Sequence, residues 1–537
     1  MKAVSTALTV GFAHAASAAL YDEIIQTKYG PVQGIPAFDS EPINNISNWK
    51  DIAVWKGIPF AADTSGNNRW RPPQKRAVWN ATLQANAFGD VCPQGSLGFG
   101  GPAKRQASTS DNTTTSEDCL NLNIWTSANS THTKLPVMLW SYPAGGSAAQ
   151  PLFDGGGMAA QGIVFVNYNR RDGAIGWLAH PDLNAEMTQE VGHNASGNWG
   201  MLDEFAALEW VHENIDAFGG DPDQITVAGQ SAGSAATYHM VNSPLTKGLI
   251  KGAIVESGIR YPRDPLCSSL AENYRNMSTA LAAGTTLLSA LNVTTIAEAR
   301  QLPLDTINSA TGSWGAVLDY YALPATYMHT LLHGPANDVP LITGNTKDES
   351  GAELPLSITV AEYVADLQAQ YGNATAQRFL QLYPAANDTQ AGMAFNAHYR
   401  DTSLVSSALY ADAWDTSPTT SPIYTYYWDH APPGQDRGAY HESEICYALN
   451  NLYGTDLPWE DADFAIARTM NGYWANFVKT GDPNEGGSYA GELVQWRAND
   501  LAENATMRLG DGWGQWPLAS EAQVELISGF FETQHAY

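Results

Sequence analysis

Short, almost continuously apolar stretches recur along the chain and predict buried β-strands. Such runs lie at residues 136–140, 163–168, 252–255, 339–343 and 423–428. These runs show little of the alternation between apolar and polar positions that marks a strand with one solvated face. Near-continuous apolar runs are typical of a mostly parallel sheet that is covered on both faces. The pattern therefore predicts a large central sheet.

Helical patterns lie between and after these strands. Residues 202–218 carry apolar side chains on most sides, which predicts a helix packed within the fold against the sheet. The segments from about 267 to 334 and from 358 to 414 indicate mainly helical excursions over the sheet edge where ligands bind. A further helix is predicted from 464 to 479, whereas the first 130 residues look β-rich with many turns.

The alternation of strands and helices places the chain in the α/β class. Its 537 residues would allow several domains by length alone, but large α/β folds can form one unit. No internal repeat, composition break or Pro/Ser-rich linker divides the chain. We predict one α/β domain with a large, mostly parallel central sheet flanked by helices, and with helical excursions over the active site.

The formal net charge of −28 and the sequence pI near 4.6 make the chain strongly acidic. Nucleic acids and anionic membrane surfaces repel such a chain, so we expect neither as a partner. Charged residues make up only 15% of the sequence, against about 25% in a typical domain. Polar surface therefore comes largely from Asn, Thr, Ser, Gln and Gly, which is more usual outside cells.

The amino-terminal segment has the features of a signal peptide. Lys2 precedes a mostly small and apolar stretch from 3 to 13, and residues 16–18 form an A-x-A cleavage pattern. We predict cleavage after Ala18, which leaves 19–537 as a single mature domain; the alternative is a mature amino-terminal strand or helix. No later stretch reaches the roughly 18 apolar residues that a membrane span needs, so we expect no stable membrane anchor.

Ten N-x-S/T sequons add to the signal-peptide interpretation. In a secreted protein such sites are acceptors for N-glycosylation. We therefore predict a secreted, extracellular glycoprotein. The sequon asparagines are Asn45, Asn80, Asn112, Asn129, Asn194, Asn276, Asn292, Asn373, Asn387 and Asn504.

The four cysteines do not have the spacing of a metal site. The chain has no C-x-x-C and no H-E-x-x-H motif, so we expect no metal. In an oxidising compartment Cys92 and Cys119 are the natural short bridge, which would close a loop rich in Gly, Ser and Thr. Cys267 and Cys446 either pair with each other or stay free.

The most informative motif is G-x-S-x-G at 229–233. The β-branched run 224–228 before it predicts a strand, and the residues from Ala232 to Met240 have helical composition. A strand, a sharp turn and a helix form the context in which this motif exposes a nucleophilic serine at the top of a sheet. We interpret Ser231 as that nucleophile; the alternative is a Gly/Ser-rich turn that matches by chance.

A serine hydroxyl needs a general base within hydrogen-bond reach, and the base needs an orienting acid. His441 lies in a loop after the strand at 423–428, where it can face the serine; the alternative is an ordinary surface-loop histidine. Asp348 and Glu349 follow the strand at 339–343, and either could be the acid. A solvated charge cluster is the alternative for these two carboxylates.

Longer motifs make the chain resemble the type-B carboxylesterase/lipase family, which includes cholinesterases and fungal secreted lipases. The resemblance spans nearly the whole mature chain and implies the α/β-hydrolase fold. Its motifs here are WKGIPFA at 55–61, EDCLNLN at 117–123, NWGMLD at 198–203, FGGDP at 218–222, GYWANF at 472–477 and GDPN at 481–484.

The resemblance implies roles for individual residues. Ser231 falls on the family's nucleophile, Glu349 on its acid and His441 on its base, with 444–445 matching the end of the histidine motif. Cys92 and Cys119 fall on its first disulfide. The chain departs from the family where Gln230 replaces the usual Glu before the serine, and where Glu442 replaces the usual Gly after the histidine.

The oxyanion loop is a larger departure from the family. The family usually has three glycines there, whereas this chain reads SYPAGGS at 141–147. An ungapped match makes the backbone N–H groups of Ala144 and Gly145 the oxyanion donors, together with Ala232; a shift by one makes them Gly145 and Gly146. An alanine keeps the N–H but not all the backbone angles that glycine allows.

The resemblance implies a secreted serine carboxylic-ester hydrolase that acts through a Ser-Glu-His triad and an acyl-enzyme, without metal or organic cofactor. Its partner would be a small-molecule ester. Alternatives are a lipase, an esterase for aromatic or secondary-metabolite esters, and a non-catalytic cholinesterase-like binding protein. Leu97 and Phe99 are the only sizeable apolar residues of the loop after Cys92, which disfavours an interfacial lid. Trp314, Tyr320 and Tyr321 either line a substrate pocket or belong to the helical core.

Overall fold

The computed structural model describes residues 19–44, 46–93, 114–268, 273–349, 356–502 and 505–537. The predicted signal peptide, the greater part of the loop between Cys92 and Cys119, and the sequons at Asn45, Asn112 and Asn504 lie outside the described residues.

The described strands account for the apolar runs of the sequence. They are β1 (Ile24–Gln26), β2 (Pro31–Gln33), β3 (Ile35–Pro36), β4 (Ala53–Pro59), β5 (Leu83–Gln84), β6 (Asn121–Thr126), β7 (Leu135–Ser141), β8 (Val164–Tyr168), β9 (Gly220–Gln230), β10 (Gly252–Glu256), β11 (Tyr274–Asn276), β12 (Ala316–Leu318), β13 (Leu341–Thr346), β14 (Ile423–Trp428), β15 (Ala505–Leu509) and β16 (Gly514–Pro517).

The described helices lie between these strands and at the carboxyl end. They are α1 (Gly156–Ala159), α2 (Gly173–Trp177), α3 (Pro181–Val191), α4 (Trp199–Asn214), α5 (Ala232–Asn242), α6 (Met277–Ala290), α7 (Ile296–Ala299), α8 (Leu304–Asn308), α9 (Tyr327–His333), α10 (Val360–Leu382, interrupted at Gly372), α11 (Asp388–Thr416), α12 (Ile445–Ala448), α13 (Asp461–Thr480) and α14 (Glu521–Phe531).

An 11-stranded mixed sheet forms the centre of the described fold, in the order β16-β15-β14-β13-β10-β9-β7-β8-β6-β4-β3. Strands β15 to β8 of this order pair in parallel, and the strands outside them pair antiparallel. Every residue of β8, β10, β13 and β14 is buried, because helices cover both faces. The predicted mostly parallel sheet is confirmed.

Alternate residues of each central strand enter two different cores. On β7, Val137 and Leu139 belong to the core shared with α4 and α5, and Met138 and Trp140 to the core shared with α12 and α13. This is the period-2 geometry of a strand whose two faces are both covered. The sheet therefore holds its loops from both sides, which is the rigidity that a site at its edge requires.

The helical expectations hold with small changes of boundary. The helix predicted at 202–218 begins at Trp199 and ends at Asn214, where a 3₁₀ turn, Ile215–Phe218, follows it. The segment from 358 to 414 forms α10 and α11 as expected. The segment from 267 to 334 is mainly helical but also contains β11 and β12, a short parallel pair that its apolar pattern does not predict.

Cys92 and Cys119 form the predicted disulfide, with Cα atoms 5.0 Å apart. Cys267 and Cys446 are buried separately, and their thiols donate to the backbone carbonyls of Tyr261 and Ser443. The structure thus decides against a bridge between these two cysteines. Within the described ranges, none of the helices combines the length and apolar character needed to cross a bilayer.

Candidate active site

Ser231 lies in the sharp turn between β9 and α5. Its backbone has φ 56° and ψ −119°, a strained conformation for a residue with a side chain. The turn is held from both sides: Ser231 N donates to the Glu256 carbonyl at 2.9 Å, and Ser234 N donates to the Ser231 carbonyl at 2.9 Å. The predicted strand–turn–helix context of the G-x-S-x-G motif is confirmed.

The two outer glycines of the motif are required by close backbone approach. A Cβ on Gly233 would overlap the carbonyl oxygen of Ser141, and one on Gly229 would overlap the carbonyl of Gly233. The turn that carries Ser231 is therefore pressed against the end of β7. This contact places the predicted oxyanion loop, which follows β7, beside the serine.

His441 and Glu349 come together from neighbouring strands. Glu349 follows β13 and His441 lies in the loop after β14, and the two strands pair in parallel. Nδ1 of His441 is 2.5 Å from Oε2 of Glu349, and Thr346 N donates to the other carboxylate oxygen at 3.1 Å. Both side chains are largely buried, with 13% and 7% exposed. Nδ1 is thus occupied, and Nε2 is left for the serine side.

A contact with Gln230, the residue before Ser231, shows where Nε2 of His441 lies. The amide nitrogen of Gln230 lies 3.5 Å from Nε2 of His441. The imidazole therefore lies between the end of β9 and Glu349, as a base between a nucleophile and its orienting acid must. The structure thus brings His441 into contact with Glu349 on one side and with Gln230, the residue before Ser231, on the other.

The electrostatics of the pair favour a charged imidazole. Burial alone would lower the pKa of His441, but the charge of Glu349 and its hydrogen bond raise it to about 9. Glu442 and Glu444 add to this rise. Burial alone would raise the pKa of Glu349, yet the charge of His441 and its hydrogen bond hold it below the ordinary value. The carboxylate stays ionised and stabilises the imidazolium.

Asp348, the other candidate acid, bonds to the backbone of Ala439 instead of to the imidazole. Its Oδ2 accepts a hydrogen bond from Ala439 N at 2.9 Å, and its backbone N donates to the Ala439 carbonyl at 3.0 Å. Arg400 lies 3.6 Å from its other oxygen. Asp348 therefore holds the loop that carries His441, and it is Glu349 that contacts the imidazole.

The loop after β7 forms a tight turn at Pro143-Ala144-Gly145-Gly146. Gly145 has φ 72°, which suits glycine, and Gly146 N donates to the Pro143 carbonyl at 3.1 Å. Because the N–H of Gly146 closes the turn, the ungapped alternative, with donors at Ala144 and Gly145, fits better than the shifted one. Ala144 occupies a turn position that does not need a positive φ.

A buried cation holds this loop in place. The Arg170 guanidinium lies 4.5 Å from the centre of the Tyr142 ring and donates to the Tyr142 carbonyl at 3.1 Å. Arg170 N also donates to the Tyr142 hydroxyl at 3.2 Å. Glu204 on α4 pairs with the same guanidinium at 3.3 Å. The start of the oxyanion loop is thus fixed to the helix that packs under the sheet.

The departures from the family pattern are accommodated locally. Gln230 is fully buried beside His441 and keeps the size of a glutamate without its charge. Glu442 adopts φ 83°, the region that favours glycine, and so carries strain that a glycine would not. Its carboxylate raises the pKa of His441.

Sequence reasoning missed a group of polar residues next to the His441 loop. Glu256, Ser257 and Glu444 lie there, and the Ser257 hydroxyl donates to Oε1 of Glu444 at 3.4 Å. One signal was available, because Glu256 and Ser257 end the apolar run that follows the nucleophile helix, at the carboxyl edge where sites form.

The three aromatic candidates for a pocket lie in the helical excursion. Trp314 packs against the core with Arg275 5.9 Å from its ring centre, and Tyr321 lies 4.7 Å from the His193 ring. Tyr320 is 69% exposed. Trp314 and Tyr321 thus pack partly into the core, and their role in a substrate pocket stays a prediction.

Fold and site together define an α/β-hydrolase with a serine nucleophile elbow. The solved structure of a PNB esterase superposes on 94% of this chain and 99% of its own, with a TM-score of 0.74 and 26% identity. A sequence profile described as the carboxylesterase family matches residues 21–515.

Curated relatives cover most of the chain. The fumonisin B1 esterase of Sphingopyxis macrogoltabida is 32% identical over 87% of this chain and 86% of its own. The para-nitrobenzyl esterase of Bacillus subtilis is 30% identical over 89% of this chain and 92% of its own. The bile salt-activated lipase of Bos taurus is 30% identical over 81% of this chain and 76% of its own. The chain belongs to the carboxylesterase family and is a carboxylic-ester hydrolase.

Proposed function

We propose that Ser231, His441 and Glu349 are the catalytic triad of this esterase. His441 Nε2 takes the proton of the Ser231 hydroxyl as its oxygen attacks the ester carbonyl carbon. The resulting tetrahedral intermediate expels the alcohol, which receives the proton back from His441. Water then attacks the acyl-enzyme with the same base and frees the acid and Ser231. The hydrogen bond between His441 and Glu349, next to the strained turn of Ser231, carries this proposal.

The oxyanion of both tetrahedral intermediates is held by backbone N–H groups of Ala144, Gly145 and Ala232. Ala232 opens α5, so its N–H has no partner within the helix and adds the positive end of the helix dipole. The hydrogen bond from Gly146 N to the Pro143 carbonyl engages the donor that the shifted set would need, which supports the set with Ala144 and Gly145. Each such donor is worth about 10²–10³-fold in turnover.

The substrate is a soluble or moderately apolar ester of a small molecule. The relatives named above include a para-nitrobenzyl esterase, a fumonisin B1 esterase and a bile salt-activated lipase, so the family scaffold accepts very different esters. The loop after Cys92 has few sizeable apolar residues, which argues against action at a lipid surface.

The protein is secreted and glycosylated. Its seven sequon asparagines within the described ranges are all exposed, whereas sixteen asparagines outside sequons are buried. Exposure of every one of these acceptors is what glycosylation of a folded protein requires. The Cys92–Cys119 disulfide also fits an oxidising compartment. The seven are Asn80, Asn129, Asn194, Asn276, Asn292, Asn373 and Asn387.

Hydrolysis of p-nitrophenyl esters by wild type and Ser231→Ala tests the triad. We expect kcat to fall by about 10⁴-fold or more in the variant, because the nucleophile is lost. Ser289→Ala is the matched control, since Ser289 is exposed on α6 and donates only to the carbonyl one turn earlier. It should retain full activity.

The acyl-chain series in the same assay tests the substrate class. We expect kcat/KM to be highest for short or medium chains. A preference for long chains that rises at a lipid interface would favour the lipase alternative. Undiminished hydrolysis by Ser231→Ala would refute the triad.

A further inference from the structure

Two buried carboxyl groups lie under the His441 loop, and the proposed mechanism does not use them. Glu256 ends β10 and Glu444 directly precedes α12, and both are 0% exposed. Trp474 Nε1 donates to Oε1 of Glu256 at 2.8 Å, and Ser257 Oγ donates to Oε1 of Glu444 at 3.4 Å. The remaining oxygen of each, Oε2, has no hydrogen-bond partner among the residues that the structure describes.

The sheet register explains how this site is built. Glu256 pairs with Gln230 of β9 and with Gly344 of β13, and Gly344 pairs with Tyr426 of β14. Residues that lie side by side on neighbouring strands point to the same face of a sheet, so the side chains of Gln230, Glu256 and Tyr426 share a face. Gly344 leaves room for the Tyr426 ring, because a Cβ there would overlap that ring. Trp474 closes the row, 5.6 Å from Tyr426.

Within the described ranges, the charged groups that act on the two carboxyls are other carboxylates and His441. Among the ion pairs of the described ranges, none joins a lysine or arginine to Glu256 or Glu444. The titratable groups that act on one or both of them, or are acted on by them, are Glu349, Tyr426, Tyr440, His441, Glu442 and Cys446.

Two ionised carboxylates in such a dry place repel each other and lose their hydration. Burial, and then the charge of Glu444, raises the pKa of Glu256 well above its ordinary value. Burial also raises the pKa of Glu444 to about 8. One proton held by the pair removes one of the two charges and so relieves this repulsion.

We propose that Glu256 and Glu444 hold a shared proton at neutral pH, and that this pair is a positioning site for His441. The pair limits the negative charge near the imidazole, and so limits how strongly the surrounding carboxylates favour its charged form. The part that concerns His441 rests on the proposed triad, whereas the shared proton does not.

The pH dependence of stability tests the shared proton. A carboxyl whose pKa is raised on folding binds more protons in the folded than in the unfolded chain, so its contribution to stability declines as pH rises. Glu256→Gln keeps an acceptor for Trp474 but cannot lose a proton. We expect the Tm difference, variant minus wild type, to increase between about pH 5 and about pH 9. Glu525→Gln, on the exposed side of α14, should give a constant difference.

The acid limb of kcat/KM tests the positioning role, because that limb reports ionisation of the base. Glu444→Gln removes a carboxyl whose charge raises the pKa of His441, and it should move the acid limb to lower pH by about one unit. Glu256→Gln lets Glu444 keep a full charge, so the acid limb of this variant should stay at the same pH or move to higher pH. A purely structural role would move both variants alike or neither.

Each arm has a result that overturns its part of the proposal. A Tm difference for Glu256→Gln that is flat with pH overturns the shared proton; if this variant does not fold, Glu444→Gln is measured in the same way. Acid limbs that coincide with wild type in both variants overturn the positioning role. If Ser231→Ala shows that the triad itself is wrong, the Tm series still decides on the proton.

Discussion

At the scale of single residues, Glu442 should control the pH at which the base becomes active. As the proposed general base, His441 must be neutral to accept a proton. Its pKa is raised to about 9, so activity should still be rising with pH in the alkaline range. Glu442→Gln removes one of the charges that raise this pKa. We expect the acid limb of kcat/KM to move to lower pH by a few tenths to about one unit.

The shape of the side chain is kept in Glu442→Gln, so the strained backbone at φ 83° is unchanged and only the charge differs. Glu525→Gln on α14 again serves as the control and should leave the limb where it is. An acid limb at the same pH in Glu442→Gln and wild type would show that this carboxylate is screened from the imidazole by solvent.

Glu349 is the second residue with a sharp expectation. Glu349→Gln keeps the contact with His441 but presents an amide in place of a charge, so the imidazolium loses its stabilising partner and the tautomer is no longer fixed. We expect kcat to fall by about 10⁴-fold. Asp348→Asn is the neighbouring comparison: it weakens the contact with Ala439, and its loss should be much smaller. Equal losses would mean that the acid has been assigned to the wrong carboxylate.

At the scale of elements, a buried ion pair holds α4 against the loop after β8. Arg171 donates through Nε and Nη2 to the two oxygens of Asp203 at 2.8 and 2.7 Å, and the two side chains are 1% and 0% exposed. Asp203→Asn would leave a buried guanidinium without its counter-charge. We expect the free energy of unfolding to fall by about 3–5 kcal/mol.

Urea unfolding of Asp203→Asn measures this loss, with Asp305→Asn as the control on the exposed side of α8. The control should lie within about 0.5 kcal/mol of wild type. A loss below about 1 kcal/mol in Asp203→Asn would indicate that Arg71 O and Trp199 O, which also accept from Arg171, satisfy the cation without the carboxylate.

Some strands, helices and turns could be predicted from the sequence, and others could not. The strands and the serine turn were predictable because their signals are local: apolar runs, and the G-x-S-x-G motif between a strand and a helix. The local pattern could not choose between Asp348 and Glu349, since both follow the same strand; the family resemblance favoured Glu349, and tertiary contacts separate the two residues in the structure. Likewise the donors of the oxyanion loop depended on which N–H closes the turn, and β11 and β12 pair across a long segment. Glu256 and Glu444 meet only when the sheet is assembled.

At the scale of the whole molecule, the net charge of −28 should act on charged substrates before they reach the serine. A field of one sign raises the local concentration of opposite charge and speeds association, and salt screens it. The Debye length falls from about 30 Å at 0.01 M to about 8 Å at 0.15 M salt. We therefore expect kcat/KM for a cationic ester to fall with added salt, and that for an anionic ester to rise.

The comparison uses two p-nitrophenyl esters of equal acyl length, one ending in a trimethylammonium group and the other in a carboxylate. For a neutral ester of the same length, kcat/KM should not change with salt. Contacts within the pocket contribute a preference that salt barely changes, whereas the long-range field contributes the part that salt removes. The slope of the ratio of kcat/KM values against salt thus isolates the field. A ratio that is independent of salt would mean that the site is shielded from the acidic surface, and that any charge preference arises from groups in contact with the substrate.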